Sequence, residues 1–327
     1  MSSFCEDYDF ELKRVASIIT ATKARRILIQ LPEGLQRCVD MVVSELRKYV
    51  EDDTSILVSL NPSYGACLVD EYTADSVKAD LIIHFGHLEY PYYKPRKRTV
   101  FIPVEYRGTN RDKILNIVMN LCTSQTNKVC LATTAQHIKL VNDIVLNLAK
   151  HCNVEFRGTV LGCKPVDTRG CEKTVVIAGG KFHCITQALY AINNDVLCLD
   201  PYTYSLWNPK KDVARILRVR YWKMYSAKDA KKWLLIDGMY GQSRPEVLHR
   251  IAELLRKQGR SYVVAKVLRL DEHVLQNIGI ENFDAVVVLS CPRIAIDDLE
   301  HIEVPVLTPG EALMLLEGKL EEYRYPW

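Results

Sequence analysis

Phe283-Asp284-Ala285-Val286-Val287-Val288-Leu289-Ser290-Cys291-Pro292-Arg293 is an apolar, β-branched run that stops at a cysteine and then a proline. Such a run reads as a buried strand whose C-terminal end presents a thiol. Two earlier stretches repeat the arrangement: Ser55 to Leu60 passes through a short turn into Tyr64-Gly65-Ala66-Cys67, and Phe156 to Gly162 runs into Cys163. Three strand-end cysteines, one in each third of the chain, ask for a common explanation.

Worked outward from these strands, the chain shows one plan three times. Arg26 to Leu31 reads as a strand, followed by a turn at Pro32-Glu33-Gly34 and a helix with apolar spacing at Cys38, Met41, Val42, Leu46 and Val50. The strand before Cys67 and the strand Asp80 to His87 complete this pass. The second pass has strands at Lys128 to Thr133, before Cys163, and at Lys173 to Gly180, with a helix around Ile138 to Ala149. The third has strands at Trp233 to Gly238, Tyr262 to Val267 and Ala285 to Leu289, with a helix near Glu246 to Gln258. Alternating strands and helices imply α/β domains whose parallel strands pair through crossover helices, and the recurring order predicts internal repetition. Polar stretches near Arg107 to Arg111 and Asn208 to Asp212 divide the chain into three expected domains, 1–109, 110–209 and 210–327.

A chain of 327 residues with 48% apolar content suits two or three domains with sizeable cores. A net charge of +3 does not argue for nucleic acid or a membrane as partner, no run is long enough to span a bilayer, and the acidic start Met1 to Asp7 is no signal peptide. A cytoplasmic location is the expectation. Eleven cysteines, an odd number without a secretion signal, predict reduced thiols rather than a disulfide framework. Cys38, Cys122, Cys130, Cys152, Cys184 and Cys198 read as small core residues, while Cys5 and Cys171 lie in polar segments and give no signal.

Loops at the C-terminal ends of parallel strands are where such sheets place their chemistry. Cys67 and Cys163 follow the second strand of their units, whereas Cys291 follows the third. No Cys-x-x-Cys is present, which speaks against a structural zinc site. Read from the residues alone, the three cysteines are either buried thiols with no common role or ligands of a 4Fe-4S cluster held by three irons, with the fourth open to substrate.

The motifs Tyr64-Gly65-Ala66-Cys67, Val160-Leu161-Gly162-Cys163 and Cys291-Pro292-Arg293-Ile294-Ala295-Ile296-Asp297-Asp298, with Leu31 to Gln36 and His84-Phe85-Gly86-His87, resemble the archaeal diphthamide synthase family over nearly the whole chain. The resemblance implies three similar α/β domains around a central 4Fe-4S cluster, with Cys67, Cys163 and Cys291 as its ligands. It implies cleavage of S-adenosylmethionine between sulfur and the γ-carbon. Methylthioadenosine is then released, and a 3-amino-3-carboxypropyl radical adds to C2 of a histidine on translation elongation factor 2. A homodimer, an electron donor, and no membrane or direct nucleic-acid partner also follow. Two departures stand out: Ser63 and Leu68 replace a family cysteine and aspartate, and the family's Gly-Asp-Gly-x-Phe-His pattern is Ala178-Gly179-Gly180-Lys181-Phe182-His183 here.

Other motifs keep two readings. Pro32, Glu33, Gly34 and Gln36 form either a helix start that holds part of the cofactor or a plain turn. Gly238, Gly241 and Gln242 occupy the equivalent place in the third unit, and their glycines permit close backbone approach to a ligand. Arg293 binds a carboxylate or tunes the cluster, or else pairs with Asp297 or Asp298. His84 and His87 read as chance neighbours rather than metal ligands. Tyr90 to Arg98, aromatic and basic, reads as a solvated loop or a contact for an acidic protein surface, and Lys210 to Lys232 as an exposed helix with an apolar stripe at Val213, Ile216 and Leu217. No catalytic acid or base is singled out.

Overall fold

The computed structural model describes residues 3–122 and 128–326; Met1 and Ser2 of the acidic start, residues 123–127 and Trp327 lie outside the described residues. Each of the three sequence repeats builds a parallel sheet. The first contains Arg26–Gln30, Ser55–Ser59, Leu81–Phe85 and Thr99–Ile102. The second contains Val129–Thr133, Val154–Thr159, Lys173–Ile177 and Asp195–Leu199, with Leu206–Trp207 added antiparallel at one edge. The third contains Lys232–Asp237, Ser261–Lys266, Ala285–Val288 and Val306–Leu307. All three share the spatial order second, first, third, fourth strand. Each therefore has its topological switch point between the C-terminal ends of its first and third strands, the crevice where open α/β sheets bind ligands.

The central strands form because their apolar runs are buried on both faces, as parallel sheets require. In the third sheet Trp233, Leu235, Val287 and Leu307 pack into one core, while Leu234, Ile236, Val286 and Val288 pack into another on the opposite face. The first sheet repeats this, with Ile27, Ile29 and Ile83 on one side and Leu28 and Ile82 on the other. At about 1.5–3 kcal/mol for each fully buried aliphatic side chain, a register slip in any of these strands is costly. The crossover helix Pro245–Lys257 starts at a proline, buries Ile251, Ala252 and Leu255, and ends on Arg256 and Lys257, which suit its C-terminal dipole.

The chain divides into two compact units, Met1–Asp112 with Ala135–Asp143, and Lys113–Thr134 with Ile144–Trp327. The first holds the first sheet and the short antiparallel pair Tyr8–Asp9 with Glu105–Tyr106; the second holds the other two sheets. The structure corrects the sequence reading in three places. Every sheet has a fourth parallel strand where three were expected. Arg220 and Lys223 of the helix Lys210–Ser226 are buried, although the stretch reads as exposed. Disulfides join Cys5 to Cys38, Cys130 to Cys171 and Cys184 to Cys198, against the expectation of reduced thiols. Their Cα atoms stand 5.7–5.8 Å apart, within the ordinary bridging range. The fold brings together cysteines 14 to 41 residues apart in sequence, which no local pattern announces. Cys67, Cys122, Cys152, Cys163 and Cys291 stand outside the disulfides.

Candidate functional site

In the second unit, the strand Ala285–Val288 hands the chain through Leu289 and Ser290 to Cys291, and a π-helical turn, Ile294–Asp298, follows. Such turns interrupt regular backbone and are frequent at functional sites. Cys163 lies beside Cys291. Burial first, and then the neighbouring Cys163, push the Cys291 thiol up to about 11, while the Arg293 and Ile294 backbone N–H groups and the Arg293 charge pull the other way.

Cys163 sits at the tip of a tight turn closed by Leu161 N–H donating to Lys164 O at 2.9 Å and Lys164 N–H donating to Leu161 O at 3.2 Å. Gly162 is the residue that lets this turn approach. A Cβ there would lie 2.5 Å from the Phe182 ring and 3.3 Å from the Arg293 side chain. The Arg293 guanidinium lies 4.5 Å over the centre of that ring and pairs through Nη2 with Asp297. Arg293 is 6% exposed, and its Nε and Nη1 have no hydrogen-bond partner among the described residues. Leaving buried donors unmade costs about 1–3 kcal/mol each, so two on one guanidinium beside a pair of thiols mark a place prepared for an acceptor.

The loop after the first strand of the third sheet closes on the same point. Asp237, fully buried at the strand end, accepts from Ser243 Oγ at 2.8 Å and from Arg244 N–H at 2.9 Å, and is paired with Lys266. That anchor folds Gly238, Gly241 and Gln242 inward. A Cβ on Gly238 would meet Gln242 Cβ at 2.7 Å and Ser290 Cβ at 2.9 Å, so only glycine lets the loop lie against the residue preceding Cys291. The structure thus brings Gly238, Gln242, Arg293, Cys163 and Cys291 together.

In the first unit, Cys67 ends the turn Tyr64 to Cys67, and the segment after it is held by Gln30 from the first strand. Gln30 Nε2 donates to Leu68 O at 2.9 Å, and its Oε1 accepts from Asp70 N–H at 3.1 Å and from His84 Nδ1 at 2.9 Å. Because Oε1 can only accept, His84 Nδ1 carries the proton; His84 Nε2 is then the acceptor for His87 Nδ1–H, 2.9 Å away. Both imidazoles are neutral in this chain: burial and then His87 hold His84 well below its ordinary value, and burial lowers His87 to about 4. The two histidines therefore serve the Cys67 loop as hydrogen-bond struts. Among the described residues no three His, Cys, Asp or Glu side chains form a site for a single metal ion. Glu33 and Gly34 are exposed, Pro32 and Gln36 half-buried; Pro32 packs under Gly86, whose positive φ of 84° suits glycine.

A family model for diphthamide synthesis proteins matches residues 31–326. The chain belongs to the diphthamide synthesis family. It is 31% identical to the 2-(3-amino-3-carboxypropyl)histidine synthase of Pyrococcus horikoshii, over 96% of this chain and 90% of that protein. It is 27% identical to 2-(3-amino-3-carboxypropyl)histidine synthase subunit 1 of Homo sapiens, over 98% of this chain and 74% of that one. A crystal structure of Dph2 from Pyrococcus horikoshii with a 4Fe-4S cluster superposes with a TM-score of 0.83 at 29% identity, covering 97% of this chain and 93% of the other. Phe182, which the sequence showed only inside a departing motif of the diphthamide synthesis family, carries the Arg293 guanidinium. Asp237 was read only as part of a strand and Gly162 only as part of the Val160 to Cys163 motif, neither with a role of its own. An aspartate ending an apolar strand just before Gly-x-x-Gly, and a glycine just before a strand-end cysteine, were the signals available.

Proposed function

We propose that this chain is a 2-(3-amino-3-carboxypropyl)histidine synthase, a transferase that moves the 3-amino-3-carboxypropyl group of S-adenosylmethionine to a histidine of translation elongation factor 2 by a radical route. That transfer is the first step of diphthamide biosynthesis. The names of its relatives support the activity. The observation that carries it here is the half-buried Cys163–Cys291 neighbourhood faced by a buried Arg293 guanidinium with two partnerless nitrogens.

Cys67, Cys163 and Cys291, all outside the disulfides, are the residues that would hold a 4Fe-4S cluster, for which a thiolate donor set is the fitting chemistry. A cluster held there would supply the one electron needed to cleave the sulfonium of S-adenosylmethionine. Arg293 has separate N–H donors free at Nε and Nη1, either of which can meet an oxygen of the aminocarboxypropyl carboxylate, while the Phe182 ring and Asp297 fix the guanidinium plane. Gly238, Gly241 and Gln242, and Pro32, Glu33, Gly34 and Gln36, are the residues that would supply the remaining cofactor contacts. Addition of the carbon radical to imidazole C2 requires later loss of one electron and one proton to restore the aromatic ring. A homodimer, a separate electron donor, a cytoplasmic location and the three domains 1–109, 110–209 and 210–327 belong to the same proposal; no helix among the described residues is long and apolar enough to cross a membrane.

Anoxic reconstitution with iron and sulfide tests the reading. Wild type should bind about four irons per chain with a visible charge-transfer band, and Cys163→Ala or Cys291→Ala should lose most of both. A wild type that stays colourless would refute it. A subunit that needs a different chain for activity is a second reading, favoured by the human relative's name, and turnover by the purified chain alone decides between them.

A further inference from the structure

The turn that presents Cys163 has little support of its own. It is joined by an isolated bridge between Leu161 and Lys164 and lies outside the strands of the second sheet. Val160 N–H donates to Thr133 O on one side of it and Gln187 holds Val166 on the other, and further support comes from the far end of the chain. Tyr325 is 5% exposed, and its phenol O–H donates to the carbonyl oxygen of Gly162, the residue before Cys163. Arg293, Cys291 and Cys163 all lie close enough to influence that phenol.

The segment carrying Tyr325 is itself fixed at several points. Gly310 N–H donates to Pro326 O at 3.3 Å, Arg324 pairs with Glu317 at 3.0 Å, and Tyr323 O–H donates to Glu311 at 2.5 Å. Gly310 permits the close fit, since a Cβ there would lie 2.4 Å from Arg324 O. Glu311 in turn holds Arg220, which donates to Ala295 O in the π-helical turn after Cys291. One frame therefore supports both the Cys291 turn and the tail that reaches Cys163.

We propose that Tyr325 is a positioning residue, whose phenol clamps the Gly162–Cys163 turn against the Cys291–Arg293 turn and makes the C-terminal segment part of the site. The functional weight of the clamp rests on the reading of Cys163 given above; the clamp itself does not. The test uses the metal-free full chain under anoxic conditions, comparing iodoacetamide alkylation rates at Cys67, Cys163 and Cys291 by peptide mass spectrometry in wild type and Tyr325→Phe. That variant keeps the ring and removes only the hydroxyl, which donates to Gly162 O and lies beside Thr186. Loss of one hydrogen bond predicts roughly a fivefold faster reaction at Cys163, with Cys67 unchanged and the melting temperature nearly so. In the reconstituted protein the same variant should alter the electron paramagnetic resonance line shape of the reduced cluster. Equal Cys163 rates in the two proteins, or a parallel rise at all three cysteines, would overturn the proposal. Because alkylation is read without iron, failure of the clamp and failure of the cluster reading give different results.

Discussion

Replacing Arg220 with methionine should destabilise the protein by about 3–5 kcal/mol, the cost of leaving one member of a buried ion pair without its partner. The residue is 1% exposed and makes four hydrogen bonds: Nε to Glu311 Oε1 at 2.8 Å, Nη2 to Glu311 Oε2 at 2.6 Å and to Val306 O at 2.7 Å, and Nη1 to Ala295 O at 2.7 Å. Methionine fills much of the volume but strands two carbonyls, at about 1–3 kcal/mol each, beside a buried carboxylate. Glu311 keeps the Tyr323 hydroxyl and the Thr308 N–H, which holds the loss at the lower half of what a bare charge would cost. Urea unfolding followed by circular dichroism would measure it. The pairing argument also predicts that Arg220→Met with Glu311→Leu is less damaging than Arg220→Met alone, because the second change removes the orphaned charge. A single variant within about 1 kcal/mol of wild type, or a double variant showing simple additivity, would refute the reasoning.

Three further outcomes follow from the geometry. His84 and His87 titrate below 6.5 in the folded chain, so the unfolded chain binds more protons between pH 6.5 and about 4; stability is full above that window and falls as pH drops through it. The lowering of His87 from 6.5 to about 4 corresponds to about 3 kcal/mol, and unfolding curves at pH 5 and 7.5 should be closer together for His87→Phe than for wild type. Arg293→Met should raise the S-adenosylmethionine KM roughly 10–100-fold, the worth of hydrogen bonds to a charged carboxylate, while iron content stays near wild type; an unchanged KM would remove Arg293 from substrate binding. Thiol titration of the metal-free protein in denaturant should find five reactive cysteines before reduction, and eleven afterwards; eleven at the outset would show that the three pairs are not bonded.

The sheets were legible wherever a continuous β-branched run is buried on both faces. Arg26–Gln30, Lys173–Ile177 and Ala285–Val288 each fall within a residue or two of the stretches read from sequence, apart from the Gly179-Gly180 turn. The fourth strands were not, because Val306–Leu307 is two residues long and Thr99–Ile102 is only half-buried over most of its length. Arg220 was illegible for a different reason. Arg-Val-Arg-Tyr-Trp-Lys has the composition of a solvated helix face, and only packing against Glu311, 91 residues away, turns one of its cations inward. The odd number of cysteines favoured reduced thiols, yet the disulfides depend on which elements the fold lays side by side: Cys184 on a helix lies over Cys198 on the neighbouring strand. At the site, Cys163, Cys291, Arg293 and the Gly238 to Gln242 loop were visible as motif residues. Phe182 and Tyr325 act through contacts that are distant in sequence; Phe182 was quoted only within the Ala178 to His183 motif, and nothing local signals Tyr325.

The most direct test of the account is product analysis after mixing anoxically reconstituted, dithionite-reduced protein with S-adenosylmethionine. The account predicts methylthioadenosine, formed only with reductant and lost in Cys67→Ala, Cys163→Ala and Cys291→Ala. 5′-Deoxyadenosine in its place, or no cleavage by protein that carries an intact cluster, would contradict it.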